Sequence, residues 1–248
     1  MHVARPDLYP LDPRIERAFA ESQVLVLELA LDEAAQLGAA RRMMELGRLP
    51  SGKRLADVVA PETWELLVRT QAERRQPIFG MRGFHPWFVA LTLTTQSLEG
   101  EGFSAEHGID EHFRRLAAAA QERIEALETV ESQLSLFTSL SPDAEEQMLL
   151  QTLEDLDSYG NDLDAAFRLW SVGDAKGIDE LLVAPMQQEY PEMFQRLFVD
   201  RNRAMTERLL EMAKVPGHYF VVVGAGHLVG SSGIVSLLAA RGITVTQL

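Results

Sequence analysis

Cysteine is absent from this chain of 248 residues. Its absence excludes disulfide bonds, thiolate metal sites and cysteine nucleophiles, so any metal ion must be held by nitrogen and oxygen atoms. Long apolar runs are absent too. None approaches the ~20 residues that a membrane-spanning helix needs, and the N-terminus lacks the basic and apolar regions of a signal peptide. These absences predict a soluble chain without a membrane span.

Basic residues are scarce, with 23 Lys and Arg against 37 Asp and Glu and a formal net charge of −14. A field of this sign repels nucleic acid and anionic membrane surfaces, so we expect neither as a partner. Aromatic residues make up only 7% of the chain, but 46% of it is apolar. That content is enough to build the core of an ordinary globular protein.

A buried strand is predicted near the N-terminus, from Gln23 to Leu29, after a short helix that Asp12 and Pro13 begin. Its apolar run stops at Glu28, which places a carboxylate at the carboxyl end of a strand. Open parallel sheets bind their ligands at that end of their strands. Glu28 is therefore a candidate site residue.

The C-terminal residues repeat this order and are predicted as a β-loop-α-β unit. Its parts are a strand from Tyr219 to Val223, a loop from Gly224 to Gly230, a helix from about Ser232 to Arg241 with Gly242 as its C-cap, and a strand from Ile243 to Leu248. The front of the chain resembles the same unit without its first strand. In that alignment His2 stands where His227 stands.

The residues between these ends are predicted to be mostly helical, because apolar side chains recur at three- and four-residue intervals. The predicted helices are Leu31 to Gly47, Pro61 to Gln76, Pro86 to Gly100, Glu111 to Ala126, Val130 to Leu140, Asp143 to Ser158 and Tyr190 to Ala213. A short strand from Arg123 to Leu127 would end at Glu128, and His107 to Asp110 would be a further strand end.

No linker or low-complexity tract divides the chain, so the sequence predicts one α/β domain over residues 1–248. Its central β-sheet is formed by the N- and C-terminal β-loop-α-β units, residues 1–30 and 215–248. Residues 31–214 are a long, mostly helical insertion.

The segment GAGH, Gly224 to His227, allows two interpretations. Glycines after a strand permit positive φ and close backbone approach, so that an imidazole projects over the sheet end; alternatively, the same residues only make a tight turn. A phosphate loop is disfavoured because no lysine follows. A nucleophile elbow is disfavoured because the serines in GSSG lack its glycine spacing.

Pairing the two ends of the chain suggests a metal site. His2, Glu28 and His227 converging on one sheet edge would offer two nitrogens and one carboxylate to a divalent ion, with positions open for water. The alternatives are a disordered terminus for His2 and a solvated strand end for Glu28. His85, His112 and His218 are predicted as surface or packing residues, and His107 stays open.

Arg201 and Asn202 lie in an amphipathic helical segment. One interpretation is a solvated face with Arg203 and Glu207 paired four residues apart. The other is that Arg201 and Asn202 point to the sheet edge, where they would orient a carboxylate or polarise a carbonyl.

Several segments together resemble one protein family. They are MHVARPDLYPLDPRIERAFAESQVLVLEL, LPSGKRLADVVAPETW, HPWFVALTL, GIDEHF, LETVESQL, DRNRAM, and GAGHLVG with the GIVSLLAARGITV that follows it. In these segments the chain resembles the TraB/GumN proteins, relatives of the Tiki metalloproteases and the pheromone-shutdown proteins. That family carries a GxxH motif near each end of its domain.

The resemblance implies a divalent-metal-dependent hydrolase, most concretely a peptidase that acts on a peptide or protein with Mn, Co or Zn. His2, Glu28 and His227 match the metal-site positions. Glu28, Glu128, Arg201 and Asn202 match positions expected to carry catalysis, with Glu28 or Glu128 moving the proton and Arg201 stabilising the oxyanion. Asp110 matches a further recurring position. The alternative is a non-catalytic protein that binds a peptide or haem in the same cleft.

One departure from the family pattern concerns the N-terminus. Family members place a strand and a glycine before the first motif, and typical members a signal sequence before these, whereas this chain begins one residue before His2. We expect a cytoplasmic protein if Met1 is the true start and a periplasmic or extracellular one if a leader is missing. A missing first strand would expose a sheet edge and favour a homodimer.

Overall fold

The computed structural model describes residues 1–247, which divide into two compact units. Unit 1 comprises Met1–Ala30, Gly102–Thr129 and the chain from Asn161 onward, and unit 2 comprises Leu31–Glu101 and Val130–Gly160. Much of the predicted insertion therefore belongs to the same unit as the two termini. The assignment of residues 1–248 to a single domain stays a prediction.

Unit 1 contains all the strands of the described chain. They are β1 (Val24–Leu27), β2 (Arg123–Ala126) and β3 (Tyr219–Val222). Its helices are α1 (Pro13–Ala20), α5 (Ile109–Ala119), the part of α8 (Tyr159–Ser171) from Asn161, α9 (Ala175–Ile178), α10 (Ala184–Glu189), α11 (Pro191–Phe194), α12 (Arg201–Met212) and α13 (Ile234–Ala240). The α/β class predicted from the sequence is confirmed.

The sheet is parallel throughout, with the order β2-β1-β3. All four residues of the central strand β1 are buried, as its uninterrupted apolar sequence predicts for a strand covered on both faces. Leu25 and Leu27 pack with Phe19 of α1 and Phe113 of α5 in one apolar cluster. The N-terminal strand, the C-terminal strand and a strand from the predicted insertion thus share one sheet.

The structure corrects several boundaries that the sequence suggested. Residues 243–247 form no strand, so the predicted strand from Ile243 fails over its described part, and Leu248 lies outside the described residues. His107 to Asp110 is no strand end, because Ala105–His107 is a 3₁₀ turn and α5 begins at Ile109. The helix predicted from Glu111 to Ala126 ends at Ala119, and β2 follows it.

The segment predicted as one helix from Tyr190 to Ala213 consists of three parts. A π-helical turn, Gln195–Asp200, separates α11 from α12. A second π-helical turn, Asp179–Val183, separates α9 from α10. Helices α8, α9 and α10 were not predicted from the sequence.

Unit 2 is helical. It contains α2 (Glu33–Leu46), α3 (Pro61–Glu73), α4 (Pro86–Gly100), α6 (Val130–Thr138) and α7 (Pro142–Asp155). Leu67 of α3, Val89 of α4 and Leu149 of α7 are fully buried in its apolar core. Glu146 accepts from the Ala60 amide, where α3 begins, at 2.7 Å, so a carboxylate here caps a helix. No helix of residues 1–247 is long and apolar enough to cross a membrane.

Candidate functional site

The carboxyl ends of the three parallel strands meet at one edge of the sheet, within unit 1. Glu28 follows β1 directly, Glu128 lies two residues beyond β2, and Gly224 lies two residues beyond β3. The pairing continues past the strands, since the amide of Glu128 donates to the carbonyl of Glu28 at 2.9 Å. Two carboxylates therefore start from neighbouring backbone positions at the edge where such sheets bind ligands.

The guanidinium of Arg201 lies between these carboxylates. Nε and Nη2 donate to the two oxygens of Glu128 at 2.9 and 2.5 Å, and Nη2 donates to Oε2 of Glu28 at 2.6 Å. Nη1 donates to the carbonyl of Leu197 at 3.2 Å and to Nε2 of His227 at 3.0 Å. Because a guanidinium has five N–H groups, every donor of Arg201 has an acceptor.

Glu28 is a buried carboxylate held in its charged form. Its Oε1 accepts the amide of Gly224 at 2.7 Å, at the start of the turn that follows β3. Burial alone would raise the pKa of Glu28, but His2, His227 and this amide favour the carboxylate and bring its pKa well below the usual range. Glu28 therefore stays negatively charged at neutral pH.

His227 is neutral, and the proton on its ring is located by its neighbours. The Asn202 amide donates from Nδ2 to the carbonyl of Ser232 at 2.8 Å, so its Oδ1 faces Nδ1 of His227 at 2.6 Å as an acceptor. Nδ1 thus carries the proton, and Nε2 keeps a lone pair. Burial lowers the pKa of His227 to about 4, with the charge of Arg201 assisting and Glu28 opposing.

His2 lies on the other side of Glu28. Its Nε2 is 3.4 Å from Oε1 of Glu28, and its Nδ1 is 3.0 Å from Oδ2 of Asp110. Burial opposes the protonated ring, but the hydrogen bonds to Asp110 and Glu28 outweigh it and raise the pKa of His2 to about 9. More than half of the side chain, 55%, is nevertheless accessible to solvent, so water weakens both ion pairs.

Gly108 is what allows the first residues of the chain to approach this edge. A Cβ atom at Gly108 would lie 2.4 Å from the carbonyl oxygen of His2, and the next amide, that of Ile109, donates to the carbonyl of Met1 at 3.0 Å. The backbone of the segment GID thus positions His2, while the Asp110 side chain holds its ring. The sequence analysis had no role for Gly108.

The turn after β3 uses its glycines in different ways. A Cβ atom at Gly226 would lie 2.8 Å from the ring of Phe198, which packs 5.2 Å from the His227 ring between centroids. Only Gly230 adopts positive φ, at +74°. Glycine is therefore needed at position 226 because Phe198 packs closely against the backbone there. It is needed at position 230 because the backbone is left-handed. The turn does project the imidazole over the sheet end.

The structure brings the sequence-predicted site residues together at this edge. They are His2, Glu28, Asp110, Glu128, Arg201, Asn202 and His227. Residues that the sequence analysis missed are the acceptor Leu197, the acceptor Ser232, the ring of Phe198 and Gly108. No sequence pattern marks the first two, because they act through backbone carbonyls.

The donor types of His2, Glu28 and His227, two imidazole nitrogens and a carboxylate, are those that divalent ions take. Ligands at about 2.0–2.1 Å from a tetrahedral ion lie roughly 3.3 Å apart, and Oε1 of Glu28 is 3.4 Å from Nε2 of His2 and 4.0 Å from Nε2 of His227. Both imidazoles have Nδ1 held by an oxygen, the arrangement typical of metal-binding histidines. As they stand, however, no three His, Asp or Glu side chains of residues 1–247 are grouped to hold an ion.

A histidine turn, two carboxylates and an Arg–Asn pair thus lie at the carboxyl edge of this parallel sheet. The sequence model of the TraB/PrgY/gumN family matches residues 1–247, and the chain therefore belongs to that family. Two relatives, each named uncharacterized protein YbaP, come from Escherichia coli strain K12 and Shigella flexneri. Each is 24% identical over 246 residues, covering 96% of this chain and 85% of the relative. No solved structure matches the chain.

Proposed function

We propose that the protein is a divalent-metal-dependent hydrolase and that it acts on peptide bonds, as the resemblance to the Tiki metalloproteases implies. The observation that supports this most is the convergence of His2, Glu28 and His227 at the carboxyl edge of the sheet. Three carboxylates lie at this edge, since Glu28 and Glu128 pair with Arg201 and Asp110 pairs with His2.

His2, Glu28 and His227 would hold the ion, which is Mn²⁺, Co²⁺ or Zn²⁺ in this proposal. Such an ion, when bound, lowers the pKa of water toward neutrality and polarises a carbonyl. Asn202 would act through His227, because its Oδ1 keeps the ring proton on Nδ1 and the Nε2 lone pair directed at the site.

The two glutamates suit different tasks. Glu28 is a poor base, because its pKa is held well below the usual range, and it suits a ligand. Glu128 is the remaining carboxylate for proton transfer. In the reaction, the water oxygen bonds to the carbonyl carbon and the C–N bond breaks. The proton that Glu128 takes from water passes to the leaving nitrogen.

Metal binding and peptide cleavage test the proposal directly. Purified protein, stripped with chelator, is titrated with Mn²⁺, Co²⁺ and Zn²⁺ by calorimetry and incubated with a peptide mixture that is read by mass spectrometry. We expect the metal-loaded protein to cleave peptides. Chelator should abolish this cleavage, and added metal should restore it. We also expect His227→Gln to lose at least about a hundredfold of the activity, whereas His218→Gln, at an exposed position away from the site, should retain it.

Two results would contradict the proposal. One is that the protein binds none of the three ions and that His227→Gln changes neither stability nor turnover. The other is that peptides bind unchanged in the presence of chelator and stay intact, or that haem binds with an absorbance band that requires His227. Either of these would favour the non-catalytic binding protein instead.

A further inference from the structure

Helix α2 of unit 2 (Glu33–Leu46) has no buried residue along its 14 residues. Isolated helices of this length are marginal in water, because helical stability in proteins comes mostly from packing one face against other elements. The half-buried residues of α2 all lie on one side of the helix; they are Ala39, Met43 and Leu46. One side of α2 is therefore supported by the fold, and the opposite side faces solvent.

The exposed side of α2 is centred on Leu37, of which 74% is accessible to solvent. Met44 is 49% exposed and lies on the same side, since seven residues make two helical turns. Ala34 and Ala40 flank Leu37 at spacings of three residues, and their small side chains leave room for another helix to approach. These four residues, which we name the Leu37 face, form an apolar strip of the kind that docks against a helix.

Two opposite charges border the Leu37 face at equal distances from its centre. Glu33 lies four residues before Leu37, and Arg41 lies four residues after it. Within residues 1–247 the structure shows an ion pair for Arg42, with Glu45 at 3.6 Å, and none for Glu33 or Arg41. A surface whose charges are symmetrical in position and opposite in sign about one residue is complementary to itself.

We propose that the Leu37 face binds the same face of a second copy of this chain, with the two α2 helices antiparallel and the two-fold axis at Leu37. Glu33 of each copy then lies beside Arg41 of the other, so the interface contains this ion pair twice. Parallel helices would instead place Glu33 against Glu33 and Arg41 against Arg41, which the repulsion of like charges disfavours. The proposal goes beyond the proposed hydrolase function and does not depend on it.

The size of this contact predicts a weak dimer. Helix α2 is about 21 Å long, and one pair of such helices buries less than the roughly 1,200–2,000 Å² of a standard protein interface. The net charge of −14 on each copy also opposes association at long range. At an ionic strength of about 0.15 M this repulsion is screened beyond about 8 Å, whereas the close ion pairs persist. We therefore expect a Kd of roughly 10–100 µM.

Sedimentation equilibrium at that ionic strength, from about 1 µM to 1 mM protein, measures the dimer. L37E removes the apolar centre and places two carboxylates at the axis, so it should weaken the dimer at least about a hundredfold. Because Leu37 is exposed and glutamate is a good helix former, the monomer should keep its fold, which thermal unfolding checks. The matched control is V172E, at a residue of unit 1 that is 76% exposed, and it should stay within about twofold.

Charge reversal tests the antiparallel arrangement. E33R and R41E each replace both ion pairs by like charges, so each variant alone should weaken the dimer by about five- to fiftyfold. The double variant E33R/R41E brings opposite charges together again and should return to within about threefold of wild type. An equimolar mixture of E33R and R41E should form a heterodimer, because each variant supplies the charge that the other lacks.

Four results would overturn the proposal. The first is a wild-type protein that stays monomeric up to about 1 mM, and the second is L37E that dimerises as tightly as wild type. The third is a dimer that neither E33R nor R41E weakens, which would exclude the antiparallel pairing. The fourth is a wild-type protein that stays monomeric but binds phosphatidylglycerol vesicles, with L37E abolishing that binding. This last result would assign the Leu37 face to a lipid surface.

Discussion

Each unit contains a histidine close to a buried glutamate, and the pKa values of the two glutamates shift in opposite directions. In unit 1, hydrogen bonds and positive neighbours overcome burial and lower the pKa of Glu28. In unit 2, Glu145 lies 3.0 Å from Nδ1 of His85, but burial prevails over His85 and the Trp87 amide and raises its pKa. A neighbouring histidine alone therefore does not decide the direction in which a buried glutamate's pKa shifts.

The difference comes from what surrounds each glutamate. Glu145, like Glu146 beside it, serves the beginning of a helix, since the Trp87 amide of the first turn of α4 is among its partners. Glu28 instead meets a second carboxylate, Glu128, across a shared arginine. Like charges gathered around one cation are costly to build and are typical of functional centres rather than of capping sites.

Removal of Arg201 should give the largest effect. R201M leaves Glu28 and Glu128 buried without their cation, which should lower the free energy of unfolding by about 3–5 kcal/mol. Urea denaturation in EDTA measures it. The matched change in unit 2 is R74M, which removes the partner of the exposed Asp157 and should cost about 1 kcal/mol or less. Equal losses of unfolding free energy in R201M and R74M would mean that the buried carboxylates of unit 1 do not depend on Arg201 more than an exposed ion pair depends on its arginine.

The two buried glutamates should respond in opposite ways to amide substitution and pH. At pH 7 we expect E28Q to cost about 2–3 kcal/mol and E145Q about 1 kcal/mol or less. Glu28 has a lowered folded-state pKa, so its contribution is present above the ordinary value of 4.5 and is lost as pH falls. The folded-state pKa of Glu145 is raised, so its contribution to stability is present below pH 4.5 and is lost as pH rises.

Unfolding curves of the metal-free protein between pH 3 and pH 8 check this prediction. The cost of E28Q should shrink toward acid, and the cost of E145Q should shrink toward neutral pH. Parallel pH profiles for the two variants would contradict the opposite directions of the two pKa shifts.

Loss of the Asn202 amide should have an intermediate effect. N202A leaves the buried Nδ1–H of His227 without an acceptor, which should cost about 1–3 kcal/mol in unfolding and about 10–100-fold in zinc affinity. The contrasting buried amide of unit 2 is Gln71, whose Nε2 donates to the sulfur of Met81 at 3.8 Å. Q71M should cost less than 1 kcal/mol. A zinc affinity unchanged in N202A would show that the tautomer of His227 does not need Asn202.

The last comparison substitutes one glycine in each unit, and the smaller disturbance of the fold is expected in unit 2. G108A places a methyl group 2.4 Å from the His2 carbonyl, and should weaken zinc binding by about tenfold through displacement of His2. G38A, in α2 of unit 2, meets nothing within 4 Å and should stabilise the helix by about 0.5–1 kcal/mol. Calorimetry measures the zinc affinity of both variants, and thermal unfolding measures their stability. Unaltered zinc binding in G108A would argue against a role for His2.

Sequence patterns were sufficient to predict strands that depend on a short run of neighbouring residues. The apolar run before Glu28 predicted β1, because a strand buried on both faces needs unbroken apolar residues. The apolar run before Gly224 predicted β3, which is only partly buried. The β-branched residues Ile243 and Val245 suggested another strand, but they find no partner strand within the described chain. Strand propensity acts only when a neighbouring strand is available.

Other parts of the site were out of reach of sequence patterns. His2 depends on the approach of Gly108, more than one hundred residues away in the chain, and periodicity carries no signal of such a contact. Arg201 was a candidate from its place in a helical segment and from the family resemblance, but its bond to His227 was not foreseen. That bond depends on where α12 begins, and the apolar spacing from Tyr190 to Ala213 is that of one unbroken helix.

The π-helical turn Gln195–Asp200 sets the angular phase of α12. A π turn holds an extra residue relative to an α turn, and each residue of an α-helix advances the side-chain direction by about 100°. Removal of a single residue from this turn would rotate Arg201 and Asn202 together away from the strand ends while leaving their sequence intact. In evolutionary terms, the insertion or loss of one codon in this turn would be enough to separate Arg201 and Asn202 from the other site residues. The site therefore depends on the length of this turn as well as on the identity of these two residues.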